Sequence, residues 1–107
     1  MAETEVIDAI RQYLTSLGGH GIHARRGILF GSHANGTAHE FSDIDLVVLA
    51  PEFDAQKTHR MVHELWRAGA RMDAPIQPIA CGEREWEVDD ERPIIEVARR
   101  EGIEIKV

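Results

Sequence analysis

The sequence has a single cysteine, Cys81, among 107 residues. One thiol leaves no internal disulfide and no cysteine-based zinc site, so a buried, inert side chain is the expectation. No apolar run approaches the ~20 residues that a membrane-spanning helix requires. The N-terminal Met-Ala-Glu-Thr-Glu is acidic and lacks the cationic and apolar regions of a signal peptide. Together these absences predict a cytoplasmic protein with no membrane partner. Basic residues are also scarce, 12 Lys and Arg against 19 Asp and Glu, for a formal net charge of −7. Polynucleotide binding relies on neutralising phosphates with Lys and Arg, so this balance argues against a nucleic-acid partner. A single nucleotide with its own metal remains compatible, and an acidic surface attracts a basic protein.

What is present fits one domain spanning residues 1–107, large enough for a single core. Its 43% apolar and 29% charged residues are ordinary for a globular chain. The organising stretch is Gly31 to Leu46, Gly-Ser-His-Ala-Asn-Gly-Thr-Ala-His-Glu-Phe-Ser-Asp-Ile-Asp-Leu, set between the apolar runs Ile28–Phe30 and Ile44–Leu49. Such runs, β-branched and bounded by turn residues, read as buried strands. Asp43 and Asp45 are two apart, so on a strand both carboxylates point the same way, roughly 6.5–7 Å apart at their bases. Two like charges facing one place in an apolar strand are costly unless a cation lies between them, and a divalent metal is the natural candidate. Gly31 and Ser32 leave the backbone open to a phosphate. Carboxylates for a metal beside a phosphate cradle point to nucleotide chemistry.

The rest of the chain reads as alternating helices and strands. Val6, Ile10, Tyr13, Leu14 and Leu17 form a helical stripe over residues 5–17, with Thr4 as N-cap and Gly18-Gly19 as the stop. A loop, His20 to His23, leads to a strand over residues 24–30, with Arg25 and Arg26 at its solvent edge. After Pro51, Asp54 is placed to cap a helix running to Gly69 or Arg71, with Thr58, Met61, Val62, Leu65 and Trp66 on its core face. His59 and His63 lie four apart there, but the zinc-protease order is absent and they read as solvated. Ile76-Gln-Pro-Ile-Ala80 is a strand that Pro78 confines to an edge or an end. Residues 82–90 form a charged loop with a helical turn that buries Trp86. Asp90 is placed to cap a helix with Pro93 in its first turn, ending at Gly102. Ile103 to Val107 alternates as a terminal strand, whose free edge can pair across a homo-oligomer. The fold class is α/β (α+β): a small mixed sheet with helices packed on it.

Gly31-Ser32, Gly36, Ser42, Asp43 and Asp45 together resemble the signature of the DNA polymerase beta nucleotidyltransferase superfamily, and in particular its stand-alone minimal members. At roughly 5–7% per residue type, six fixed positions coincide by chance about once in 10⁷ placements. The resemblance implies a polymerase-beta-like nucleotidyltransferase fold over nearly the whole chain. It implies that Gly31, Ser32, Gly36 and Ser42 serve the nucleotide, Ser42 by shaping the turn, and that Asp43 and Asp45 bind two Mg²⁺ ions. The reaction implied is attack on the α-phosphate of a nucleoside triphosphate, with ATP the expected substrate, and release of pyrophosphate.

Family enzymes usually carry a third acid on the next strand, and by order along the chain the resemblance puts Gln77 at that position. An amide offers a carbonyl oxygen but cannot act as a base. Asp73, four residues earlier, completes the catalytic set only if that strand begins early enough to bring it onto the same face. The resemblance also implies a partner, since minimal members are often paired, as antitoxins, with small helical HEPN proteins, some transferring AMP to the toxin and others only binding it. Two functions follow: AMP transfer from ATP to a HEPN-type partner, or a catalytically weak module that neutralises a partner by complex formation.

Overall fold

The computed structural model describes residues 4–39, 42–89 and 91–107. In chain order, α1 (Thr4–Ser16) and a 3-10 turn (Leu17–His20) lead to β1 (Arg26–Phe30). A one-turn helix, α2 (Ser32–Asn35), precedes β2 (Ile44–Leu49). Next come α3 (Glu52–Ala55), α4 (His59–Ala70) and β3 (Ile76–Cys81), and then α5 (Glu83–Val88), α6 (Pro93–Glu101) and β4 (Ile103–Lys106). The four strands form one sheet in the order β3-β2-β1-β4. β1 is antiparallel to both of its neighbours, while β2 and β3 run parallel. A parallel pair needs a long crossover, and α3 and α4 supply it.

Strand alternation sorts the apolar side chains into two layers. On one face Leu29, Ile44, Leu46, Val48, Ile76 and Ile105 pack with Ile10, Tyr13 and Leu14 of α1 and with Met61 and Leu65 of α4. On the other, Ile28, Phe30, Val47, Leu49 and Cys81 pack with Trp86 of α5 and with Ile95 and Ala98 of α6. The Tyr13 hydroxyl donates to the Leu65 carbonyl at 2.8 Å, which satisfies a buried polar group and ties α1 to α4. Burial pushes the Tyr13 phenol up from its ordinary range and the Cys81 thiol up to about 12, so Cys81 is the inert thiol expected. Pro78 lies, as expected, in an edge strand. His59 and His63 are both exposed. No helix among the described residues is long and apolar enough to cross a membrane.

Three local expectations need correction. Asp54 does not cap the long crossover helix; it sits inside α3, and α4 starts at His59, where the Thr58 hydroxyl accepts from the Met61 N–H at 3.1 Å. Asp54 instead serves α5, its carboxylate accepting from the N–H groups of Arg84 and Glu85 at 3.1–3.2 Å. Gly82, at the N-cap of α5, has no side chain to do this, and a Cβ there would collide with the Asp54 carboxylate. Trp66 is 48% exposed rather than core. The buried stripe of α4 is Met61, Leu65 and Gly69, and Trp66 stands about 100° around the helix from Leu65. Arg26 is not merely at the solvent edge, because its guanidinium pairs with Glu83 at 3.1 Å and with Glu104, joining β1 to α5 and β4. The expected capping role of Asp90 falls outside the described residues.

Because Asp54 caps α5 from a distant helix, Asp54→Ala should cost about 1 kcal/mol, the usual value of a lost N-cap. Urea unfolding followed by circular dichroism measures this. An unchanged midpoint would show that α5 does not depend on that carboxylate.

Candidate active site

The site forms where β1 ends and β2 begins. Phe30, the last residue of β1, is the register partner of Asp45. The chain leaves the strand at Gly31 with φ 76° and ψ −153°, a conformation a side chain strongly disfavours. A Cβ on Gly31 would run into the Asp45 carboxylate. Glycine therefore meets two requirements here, the backbone angle and the close approach of an anionic side chain. The one-turn α2 follows and is closed by Gly36, which is left-handed at φ 82° and whose N–H donates to the Ser32 carbonyl.

Ser42 closes the turn ahead of the aspartates. Its hydroxyl accepts from the His39 N–H at 3.0 Å, and its own N–H donates to the His39 carbonyl at 2.9 Å. The Ser42 side chain is thus committed to shaping this turn. His33 Nε2 donates to the Ser42 carbonyl at 3.1 Å, tying α2 to the residue just before Asp43. The expectations gave His33 no part in the site. The only signal was its place directly after Gly31-Ser32, and nothing in the spacing announces a bond spanning nine residues.

Asp45 is part-buried on β2 while Asp43, just before the strand, is exposed. Asp45 shares its face with Val47 and Leu49, the layer covered by α5 and α6. Burial raises the Asp45 pKa, the neighbouring Asp43 charge raises it further, and His33 opposes the rise. From β3, Gln77 is the register partner of Asp45. Its amide Nε2 nevertheless donates to Asp43 Oδ2, at 2.6 Å. Asp43, Asp45, Gln77 and the Gly31 backbone are therefore brought to one end of the sheet.

Asp73 is not brought there by the strand. It is exposed in the bend over residues 72–74, and β3 starts only at Ile76, so strand alternation does not carry Asp73 onto the Gln77 face. The reason is local: the Arg71 and Met72 N–H groups still bond back to α4, to the Ala68 and Gly69 carbonyls. The condition on which Asp73 could replace the third acid is not met.

Mg²⁺ typically takes one or two carboxylates, with waters and substrate phosphate oxygens completing its shell, so the donor set of Asp43 and Asp45 suits one such ion. Among the described residues no group of three or more His, Cys, Asp or Glu side chains is placed to hold a metal. A family model described as a nucleotidyltransferase domain matches residues 7–104. The chain belongs to the nucleotidyltransferase domain family. A comparison with curated proteins finds no match. Membership supports nucleotidyl transfer in general, on a mixed sheet with helices that is consistent with the nucleotidyltransferase fold.

Two substitutions probe this geometry. Gly31→Ala should destabilise the domain by about 1–3 kcal/mol, the cost of holding a non-glycine residue in such a conformation, read as a lower urea midpoint. Asp45→Asn should do the opposite in metal-free buffer. A carboxylate with a raised folded-state pKa leaves its stabilisation intact only below its ordinary 3.8 and loses it as pH rises through the raised value. At pH 7 the amide variant should melt above the parent, and the gap should shrink as pH falls toward 3.8. Equal melting at pH 7 would mean that the Asp45 charge is not a burden on the fold.

Proposed function

We propose that this nucleotidyltransferase domain binds ATP with magnesium at Asp43 and Asp45 and transfers AMP to a partner protein, as antitoxin to a helical HEPN-type toxin. The observation that carries the nucleotide part is the packing of the Asp45 carboxylate against the Gly31 backbone, with Asp43 beside it. It puts the carboxylates that would hold magnesium beside the turn that would receive phosphates. The partner part rests on the resemblance to minimal nucleotidyltransferases, and the formal charge of −7 suits a basic partner.

In this reading, an acceptor hydroxyl of the partner attacks the α-phosphorus, the bond to the β-phosphate breaks, and pyrophosphate leaves. Magnesium, when bound, would neutralise charge on the phosphate oxygens. The chain's own contribution is orientation and charge placement. The positive-φ turn at Gly31 lets the backbone pass close to the Asp45 carboxylate, so the phosphates would approach beside that contact. Asp43 and Asp45 would hold the cation, which would supply positive charge to the phosphates, and His33 and Ser42 hold the turn that presents Asp43. The acceptor's proton must pass to solvent or to a group on the partner, since the Gln77 amide cannot take it.

One observation favours a second reading, a nucleotide-binding module that neutralises its partner by complex formation. Gln77 occupies the place of the third acid and is hydrogen-bonded to Asp43. One set of experiments separates the two readings. The protein is incubated with α-³²P-ATP, Mg²⁺ and the product of the adjacent reading frame. Transfer predicts label on the partner, reduced at least 100-fold in an Asp43→Asn, Asp45→Asn double variant. The binding reading predicts no label and full neutralisation by the same folded variant.

A further inference from the structure

The third-strand position carries more information than the absence of an acid. In the parallel pair of β2 and β3, Gln77 lies opposite Asp45. Its side chain reaches instead toward Asp43, with the amide nitrogen 2.6 Å from Oδ2. The NH₂ group therefore faces the carboxylates, and one Asp43 oxygen already has a donor. The amide brings a hydrogen-bond donor and no negative charge to the site.

Charge limits how many cations the two aspartates can hold. Asp43 and Asp45 carry two negative charges, which one divalent ion balances, whereas a second ion bound there would depend almost wholly on the nucleotide for its anionic ligands. No described His, Cys, Asp or Glu completes a group of three with them, and Asp73 lies in the bend before β3. The residues present thus fit one magnesium ion and not the pair that the family resemblance implies.

We infer that this domain holds one divalent cation per bound nucleoside triphosphate, and that Gln77 sets that number by placing a neutral amide, bonded to Asp43 and opposite Asp45, where a carboxylate would supply an anionic ligand for a second cation. The inference rests on the nucleotide-binding reading above. Its test counts metal and nucleotide separately, by equilibrium dialysis of the protein against Mn²⁺ and α,β-methylene-ATP, which cannot donate its α-phosphate. Free Mn²⁺ is read by electron paramagnetic resonance. The expected result is one Mn²⁺ per bound nucleotide for the parent and two for Gln77→Glu; position 77 is exposed, so the fold should tolerate the change. Two ions in the parent would overturn the inference and leave the nucleotide-binding reading standing. A count of one in Gln77→Glu would remove Gln77 as the determinant. No nucleotide bound by the parent, with or without metal, would overturn the binding reading and the inference with it.

Discussion

β2 is covered by helices on both faces, and that double burial limits where polar atoms can stand on it. From Leu46 to Leu49 the strand is fully enclosed, with successive side chains entering opposite cores. Charge can enter only at its beginning, where the covering of the second face gives way and Asp45 is part-buried. The antiparallel register with β1 then sets Phe30 opposite Asp45, which brings the Gly31 turn onto the carboxylate. The parallel register with β3 sets Gln77 there from the other side. Three separate segments meet because one strand allows its polar residues only one position.

The meeting of Gln77 with Asp43 changes the electrostatics of that position. A third carboxylate would leave three negative charges in one small patch, and in a ligand-free chain each would raise the others' pKa. An amide adds no charge and offers a donor, so part of the burden of Asp43 is met by a hydrogen bond at 2.6 Å. Asp45 has no such relief from β3. Burial and Asp43 both push its pKa up, and only His33 counters them. The two aspartates differ in surroundings, one exposed and bonded to an amide, the other part-buried against a backbone turn.

Much of this was readable in the residues. The strand boundaries of Ile44–Leu49 follow from an uninterrupted apolar run, and the Gly-Ser to Asp-x-Asp stretch marks the end of the sheet where the site lies. Pairs made across the fold were not readable. Asp54 looks like the cap of the next helix because a capping residue normally acts on its own segment. Here it caps α5, thirty residues on, in place of a glycine that has no side chain to offer. Trp66 belongs in a core by size, but the angle that α4 presents to β3 is set by Met61, Leu65 and Gly69. His33 carries no local pattern, because its partner is a backbone carbonyl that any residue could supply.

If Asp45 holds a cation as proposed, stability and ligand binding would be coupled through it. A group whose ionised form opposes folding also gains most from a bound cation, since neutralising it removes the penalty and adds the binding energy. A ligand held only by the folded state adds about 2.7 kcal/mol at a hundred times its dissociation constant, a sizeable share of the 5–15 kcal/mol typical of a domain. A site with three carboxylates would lean on its cations more heavily still. Gln77 lowers that dependence by removing one charge and partnering another. An amide at position 77, which cannot act as a base, therefore favours a domain that keeps its shape without a bound cation.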